Sequence, residues 1–126
     1  MFEHSNFKEA IFFDGAELGT DTATSKVIAN PKQASLRVVG WFEDGASGSG
    51  SGTKTVAVKV QGADKADATG TDWKDIETGT FSSTGTAFSG EFFNKVVDAD
   101  YNYVRALLSG SGVSGELNLA AEYIAR

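Results

Sequence analysis

The chain has 126 residues, enough for one domain with a single core, and its lack of cysteine rules out a disulfide framework or a thiolate metal site. A formal charge of -6, with no clustering of Lys and Arg, excludes a surface built to neutralise phosphates, so nucleic acid is not an expected partner. Fifteen glycines, one proline (Pro31) and frequent Ser, Thr and Asp point to many short turns and favour an all-β class.

The start Met1-Phe2-Glu3-His4-Ser5-Asn6 lacks the basic residues and apolar stretch of a signal peptide, and no later apolar run is long enough to span a bilayer. A soluble protein made in the cytoplasm, without membrane contact, is expected. Residues 1–13 read as an N-terminal arm or an edge strand, because Phe7, Ile11, Phe12 and Phe13 are apolar but Lys8-Glu9-Ala10 blurs the alternation. Residues 14–126 read as one β-sandwich domain. Ser25 to Asn30 is a short strand candidate that ends at Pro31, a residue unable to donate to a ladder. Leu36 to Phe42 is apolar on both faces except at Arg37, as expected of a strand that runs through the sheet centre or meets a partner on its second face.

The Gly/Ser tract 43–52 buries little and reads as a long, flexible hairpin loop leading into the strand Thr53 to Gln61. There Val56, Val58 and Val60 should face inward, with Thr55, Ala57, Lys59 and Gln61 outward. After a polar loop, Trp73 and Ile76 are three apart and cannot share a face of a regular strand, so a bulge near Lys74-Asp75 is predicted. Thr80 to Gly90 reads as a polar segment anchored by Phe81 and Phe88, followed by a strand over Glu91 to Val97. Tyr101 to Leu108 alternates Tyr101, Tyr103, Arg105 and Leu107 on one face with Asn102, Val104, Ala106 and Leu108 on the other. Gly115 to Ala125 closes the domain as a strand with Leu117, Leu119, Ala121 and Tyr123 inward. Seven to nine strands, with no helix able to cross between parallel strands, give a two-sheet antiparallel β-sandwich of jelly-roll or related Greek-key topology.

Catalytic residues are not found. His4 is the sole histidine and lies in the terminal arm, away from anything that could hold it as a base. The glycine spacing at 45–50 has no following helix and no Lys-Ser/Thr, so it is not a phosphate loop. Asp64, Asp67 and Asp72 share a loop and carry oxygens of the kind Ca²⁺ takes, but their spacing differs from the EF-hand loop and a solvated acidic loop is favoured. No cofactor is expected. Trp41, Trp73, Tyr101, Tyr103 and Tyr123 supply rings for a core, a protein interface or a sugar platform, with core or interface favoured. Arg105 should pair with an acid such as Asp75 or Asp98.

The order of a short arm, Val58-Lys59-Val60-Gln61-Gly62-Ala63-Asp64, an acidic loop, Trp73-Lys74-Asp75-Ile76, Tyr101-Asn102-Tyr103-Val104-Arg105 and a terminal Gly-rich hairpin resembles the capsid decoration, or cement, proteins of tailed bacteriophages. The resemblance covers most of residues 36–126. It implies a small non-enzymatic jelly roll that sits on the outer surface of the virion as a dimer or trimer and clamps neighbouring subunits of the major capsid protein. The expected contact residues are Phe2, Phe7, Ile11, Phe12, Phe13, Trp41, Tyr101, Tyr103 and Arg105. A carbohydrate-binding or host-adhesion module and a tail or neck subunit are the competing expectations.

Overall fold

The computed structural model describes residues 10–19, 21–31, 33 and 35–124. Eleven strands account for most of them: β1 (Ala10–Glu17), β2 (Ala23–Thr24), β3 (Ile28–Ala29), β4 (Ser35–Phe42), β5 (Ser47–Gly48), β6 (Lys54–Ala63), β7 (Lys74–Ser83), β8 (Glu91–Val97), β9 (Tyr103–Ser111), β10 (Val113–Ser114) and β11 (Glu116–Ile124). The period-two pattern decides the faces. Val56, Val58 and Val60 of β6 are buried while Thr55, Ala57, Lys59 and Gln61 are half-buried on the other side, as the alternation predicts. In β9, Val104, Ala106 and Leu108 face the core, and in β11 Leu117, Leu119 and Ala121 do the same.

The pairings nest around the β6–β7 turn. β6 pairs with β7, β4 with β8, β2 and β3 with β9, and β1 with β11, all antiparallel. Wrapping this long hairpin puts alternate pairs into opposite sheets, ordered β1-β11-β4-β8 and β2/β3-β9-β6-β7. Apart from the β6–β7 turn and the short link from β2 to β3, the connections between these strands pass from one sheet to the other. The result is a jelly roll, one of the two topologies the sequence allowed. Asn30, where the β3 strand ends, is buried and donates its amide to the carbonyls of Ala99 and Tyr101 at 3.1 and 3.3 Å, which anchors that crossing.

Bulges explain where the alternation failed. The β1–β11 register shifts between Ile11 and Phe13, and the β4–β8 register shifts opposite Phe92. Each extra residue lets two consecutive phenylalanines, Phe12-Phe13 and Phe92-Phe93, pack on the core side of one strand. Ala10 and Phe12 are buried core residues, so the strand that begins at Ala10 runs past residue 13 to Glu17. A third shift, between Val60 and Gln61, leaves Ile76 as the extra residue of β7, one position from the predicted bulge. β7 itself is longer than the short segment expected, since it continues through Thr80 and Phe81 to Ser83.

The Gly/Ser tract corrects the sequence reading. It joins strands in different sheets, so it is a crossover and not a hairpin loop. Ser47–Gly48 pairs with Val113–Ser114, Ser47 bridges to Ala87, and Ala46 is buried. Gly48 is required there, because a Cβ would meet the Gly85 carbonyl oxygen at 2.8 Å and the Phe88 ring at 2.8 Å. Of Ser25 to Asn30, read as one strand, only Ile28–Ala29 (β3) is strand, and a second short piece, Ala23–Thr24 (β2), lies just before the segment. Between them Ser25 completes the edge with its hydroxyl, which accepts the Ala106 N–H at 2.8 Å.

Beneath the Gly/Ser tract lies Lys54, only 1% exposed. Its Nζ donates to the Thr84 carbonyl at 3.0 Å, and among the described residues it has no carboxylate partner. A buried ammonium carries a desolvation cost that one carbonyl does not offset. Lys54→Met keeps the length and removes the charge, and is expected to raise stability by about 1–2 kcal/mol. The check is a higher urea midpoint at unchanged slope; a lower midpoint would show that the tie to Thr84 outweighs desolvation.

Candidate interaction surface

The two sheets expose different outer faces. On the β1-β11-β4-β8 sheet, the register lines up Ile11, Ala120, Val39 and Asn94 in one row and Glu122, Arg37 and Val96 in the next. Val39 and Ala120 are almost fully buried although they point away from the main core, with Ile11 and Trp41 packed against them. Val96 adds an aliphatic side chain that is 49% exposed. The polar groups on this face bond to one another: Arg37 Nη1 donates to Asn94 Oδ1 at 3.2 Å, and Asn94 Nδ2 donates to Glu91 Oε1 at 3.0 Å. At its upper end the buried Asn118 accepts the Gly15 N–H at 2.8 Å and donates to Glu43 Oε1 at 2.6 Å, fixing the second bulge of β1.

The outer face of the other sheet is polar and self-satisfied. Rows Arg105-Gln61-Asp75 and Thr24-Leu107-Lys59-Thr78 cross it. Arg105 Nε donates to Gln61 Oε1 at 2.9 Å, and Gln61 Nε2 donates to Asp75 Oδ1 at 2.9 Å. The Gln61 amide holds the Asp75 carboxyl below its ordinary value, helped by the Lys59 ammonium at 3.6 Å and opposed by slight burial. The Arg105 guanidinium lies 4.4 Å from the centre of the Trp73 ring, whose Nε1 donates to the Ala68 carbonyl at 2.8 Å. Arg105 thus reaches Asp75 through Gln61, not by the direct ion pair expected, and Asp98 instead accepts from the Ser35 hydroxyl at 2.9 Å.

The expected contact residues do not form one surface. Ile11 and Trp41 share the apolar face; Tyr103 and Arg105 sit on the opposite one; Phe12 and Phe13 pack in or against the core. Phe2 and Phe7, like His4, lie outside the described residues. Tyr101 precedes β9, so it leaves the Tyr103 face, and its ring covers Gly62 with no room for a Cβ. Trp73 is buried and the Tyr123 hydroxyl donates to the Ala29 carbonyl at 2.7 Å, so the five rings do not line up as a platform. Sequence reasoning missed Val39, Ala120 and Val96. Their signal was present in the two-sided apolar run of β4, whose second face needed a cover.

Asp64 and Asp72 line a shallow recess with Lys65, Ala68, Thr71 and Lys74, two of whose six side chains are cationic. Asp72 Oδ2 accepts the Thr69 N–H at 3.5 Å, which turns it back on its own loop. Among the described residues no group of three or more His, Cys, Asp or Glu is placed to hold a metal ion, and Asp67 does not join the other two around the recess.

No protein-family model matches the sequence, and no curated protein matches it. Among solved structures, this chain is similar to a chain in the structure of the infectious bursal disease virus Gx strain, at 12% identity and a TM-score of 0.43 over 91% of this chain and 32% of that one. It is likewise similar to the VP2 subviral particle of infectious bursal disease virus, at 14% identity and a TM-score of 0.43 over 91% of this chain and 31% of that one. The chain spans about a third of the length of either.

Proposed function

We propose that this chain is a virion structural protein that decorates the outer surface of an icosahedral phage capsid and clamps neighbouring subunits of the major capsid protein. It acts by contact, without catalysis or cofactor, and works as a homo-oligomer made in the host cytoplasm. The observation that carries this reading is the strand order: a single small jelly roll, the architecture implied by the Val58–Asp64, Trp73–Ile76 and Tyr101–Arg105 segments through their resemblance to cement proteins. The apolar outer face with Ile11, Trp41 and Val96 supplies surface suited to a protein partner. Repeated weak contacts across a lattice hold tightly without any one large interface.

The test is the copy number of this chain in purified particles from its source, by quantitative mass spectrometry against the major shell protein. A simple fraction of the shell protein is the expected result. A few copies per particle would place the chain in the tail or neck, and absence from particles would overturn a virion role.

A further inference from the structure

The edges of the two sheets differ in how well they are closed to further pairing. β1 carries two register shifts, β2 and β3 are two-residue pieces, and β8 is bulged at Phe92. Such interruptions blunt an edge. β7 is bulged once too, at Ile76, but from Glu77 to Ser83 it keeps the longest uninterrupted stretch of any of these edges, with no β-strand beyond it among the described residues.

Part of that edge is closed by side chains. The Thr78 N–H donates to Glu77 Oε1 at 3.1 Å, and the Thr78 carbonyl accepts from Lys95 Nζ at 2.9 Å. Lys95 Nζ also lies 3.7 Å from Glu77 Oε1, so one ion pair plugs both outward groups of Thr78. Hydrogen-bond direction alternates along an antiparallel strand, so the N–H and C=O of Thr80 and Ser82 leave the sheet on the same side as those of Thr78. Both residues are exposed, and no side chain of a described residue caps them.

We infer that this open stretch of β7 is a self-pairing edge that joins two copies of the chain across a two-fold axis, a deepening of the homo-oligomer in the proposed function. The occupant follows from the register. Centring an antiparallel pair on Phe81 sets Thr80 against Ser82 of the second copy and Ser82 against Thr80, and each pair exchanges both N–H···O bonds. Every open group is used, and the plugged Thr78 falls outside the ladder, opposite Thr84 of the second copy. Glu77 faces Gly85, so no like charges meet. Phe81 is only half-buried, and at the axis it meets its own copy in a close cross-strand aromatic pair on the core side. The contact is isologous and closes on itself, so it gives a dimer and not a fibre.

Sedimentation equilibrium of the purified protein tests this without any capsid. A concentration-dependent monomer–dimer equilibrium is expected. Thr80→Pro removes an outward N–H without touching the β6 ladder, and should leave a monomer with an unchanged circular dichroism spectrum. Phe81→Cys, in a chain with no other cysteine, should form disulfide-linked dimers on oxidation, since Cα atoms at such a pair lie about 4.5 Å apart. Val27→Cys, exposed on the opposite edge of the sandwich, should stay unlinked. A monomer at every concentration up to the solubility limit overturns the inference, as does a folded Thr80→Pro variant that dimerises like the parent. Should Thr80→Pro unfold, the absence of Phe81→Cys cross-links overturns it instead. None of these outcomes bears on copy number in particles, which decides the capsid reading separately.

Discussion

Phe42→Ala should cost the sandwich about 3–5 kcal/mol, the range for removing a buried aromatic ring. Phe42 closes β4 and is the hub of an aromatic cluster at the Gly/Ser end. Its ring centre lies 5.3 Å from Phe81 in an edge contact, 5.3 Å from Phe88 in a stack and 5.0 Å from Phe92. Phe81 and Phe88 also meet edge-on at 5.7 Å. These rings come from both sheets and from the loop that joins β7 to β8, so truncating the hub loosens all three at once. Each such aromatic pair adds about 0.5–1.5 kcal/mol beyond its buried area. Urea unfolding should show a lower midpoint at unchanged slope. A loss below about 1 kcal/mol would mean that the neighbouring rings collapse into the space, which is the variable that spreads such values.

The second large effect comes from adding one methyl group. Gly110 lies on the core side of β9 opposite Val56, and a Cβ there would fall on the Thr55 carbonyl oxygen and reach Leu18 Cδ1 at 2.6 Å. A flexible side chain could move aside, but the Thr55 oxygen belongs to the backbone of the central strand β6. Gly110→Ala should therefore cost about 3 kcal/mol, the upper part of the overpacking range. Thermal unfolding of the variant checks it. Gly19→Ala is the comparison, because a Cβ at Gly19 meets nothing within 4 Å and should change little.

Much of the fold was legible because sheet residues obey a simple rule. Val56, Val58 and Val60, or Leu117, Leu119 and Ala121, announce their strands and their inward face by spacing alone. The rule failed where a bulge inserts a residue. Period-two spacing would put the members of Phe12-Phe13 and of Phe92-Phe93 on opposite faces, yet both residues of each pair pack on the core side. It failed again where long-range pairing decides a segment. Gly/Ser composition reads as a coil, and only the closeness of Ser47 to Val113–Ser114 and Ala87 turns it into a small ladder. The candidate surface was less legible than the fold. Trp41 and Ile11 were visible as apolar residues, but which face they share depends on the β1–β11–β4 register, and the Trp73–Arg105–Gln61–Asp75 chain depends on three strands meeting.

The nested pairing also sets a clock. β11 lies between β1 and β4, so the last of the described strands to be synthesised supplies the middle of its sheet, and Ala10 waits for Ala121 across nearly the whole described chain. Until synthesis has passed Ile124, β1 and β4 have no ladder between them and their apolar faces have nothing to close against. Pairings this distant in sequence bear a loop-closure cost before they are rewarded, which slows folding and lengthens the exposure of unpaired edges. A nascent chain stopped short of β11 would be a collapsed half-sandwich, sticky and unable to assemble, so only a chain synthesised through β11 can present finished surfaces to a partner.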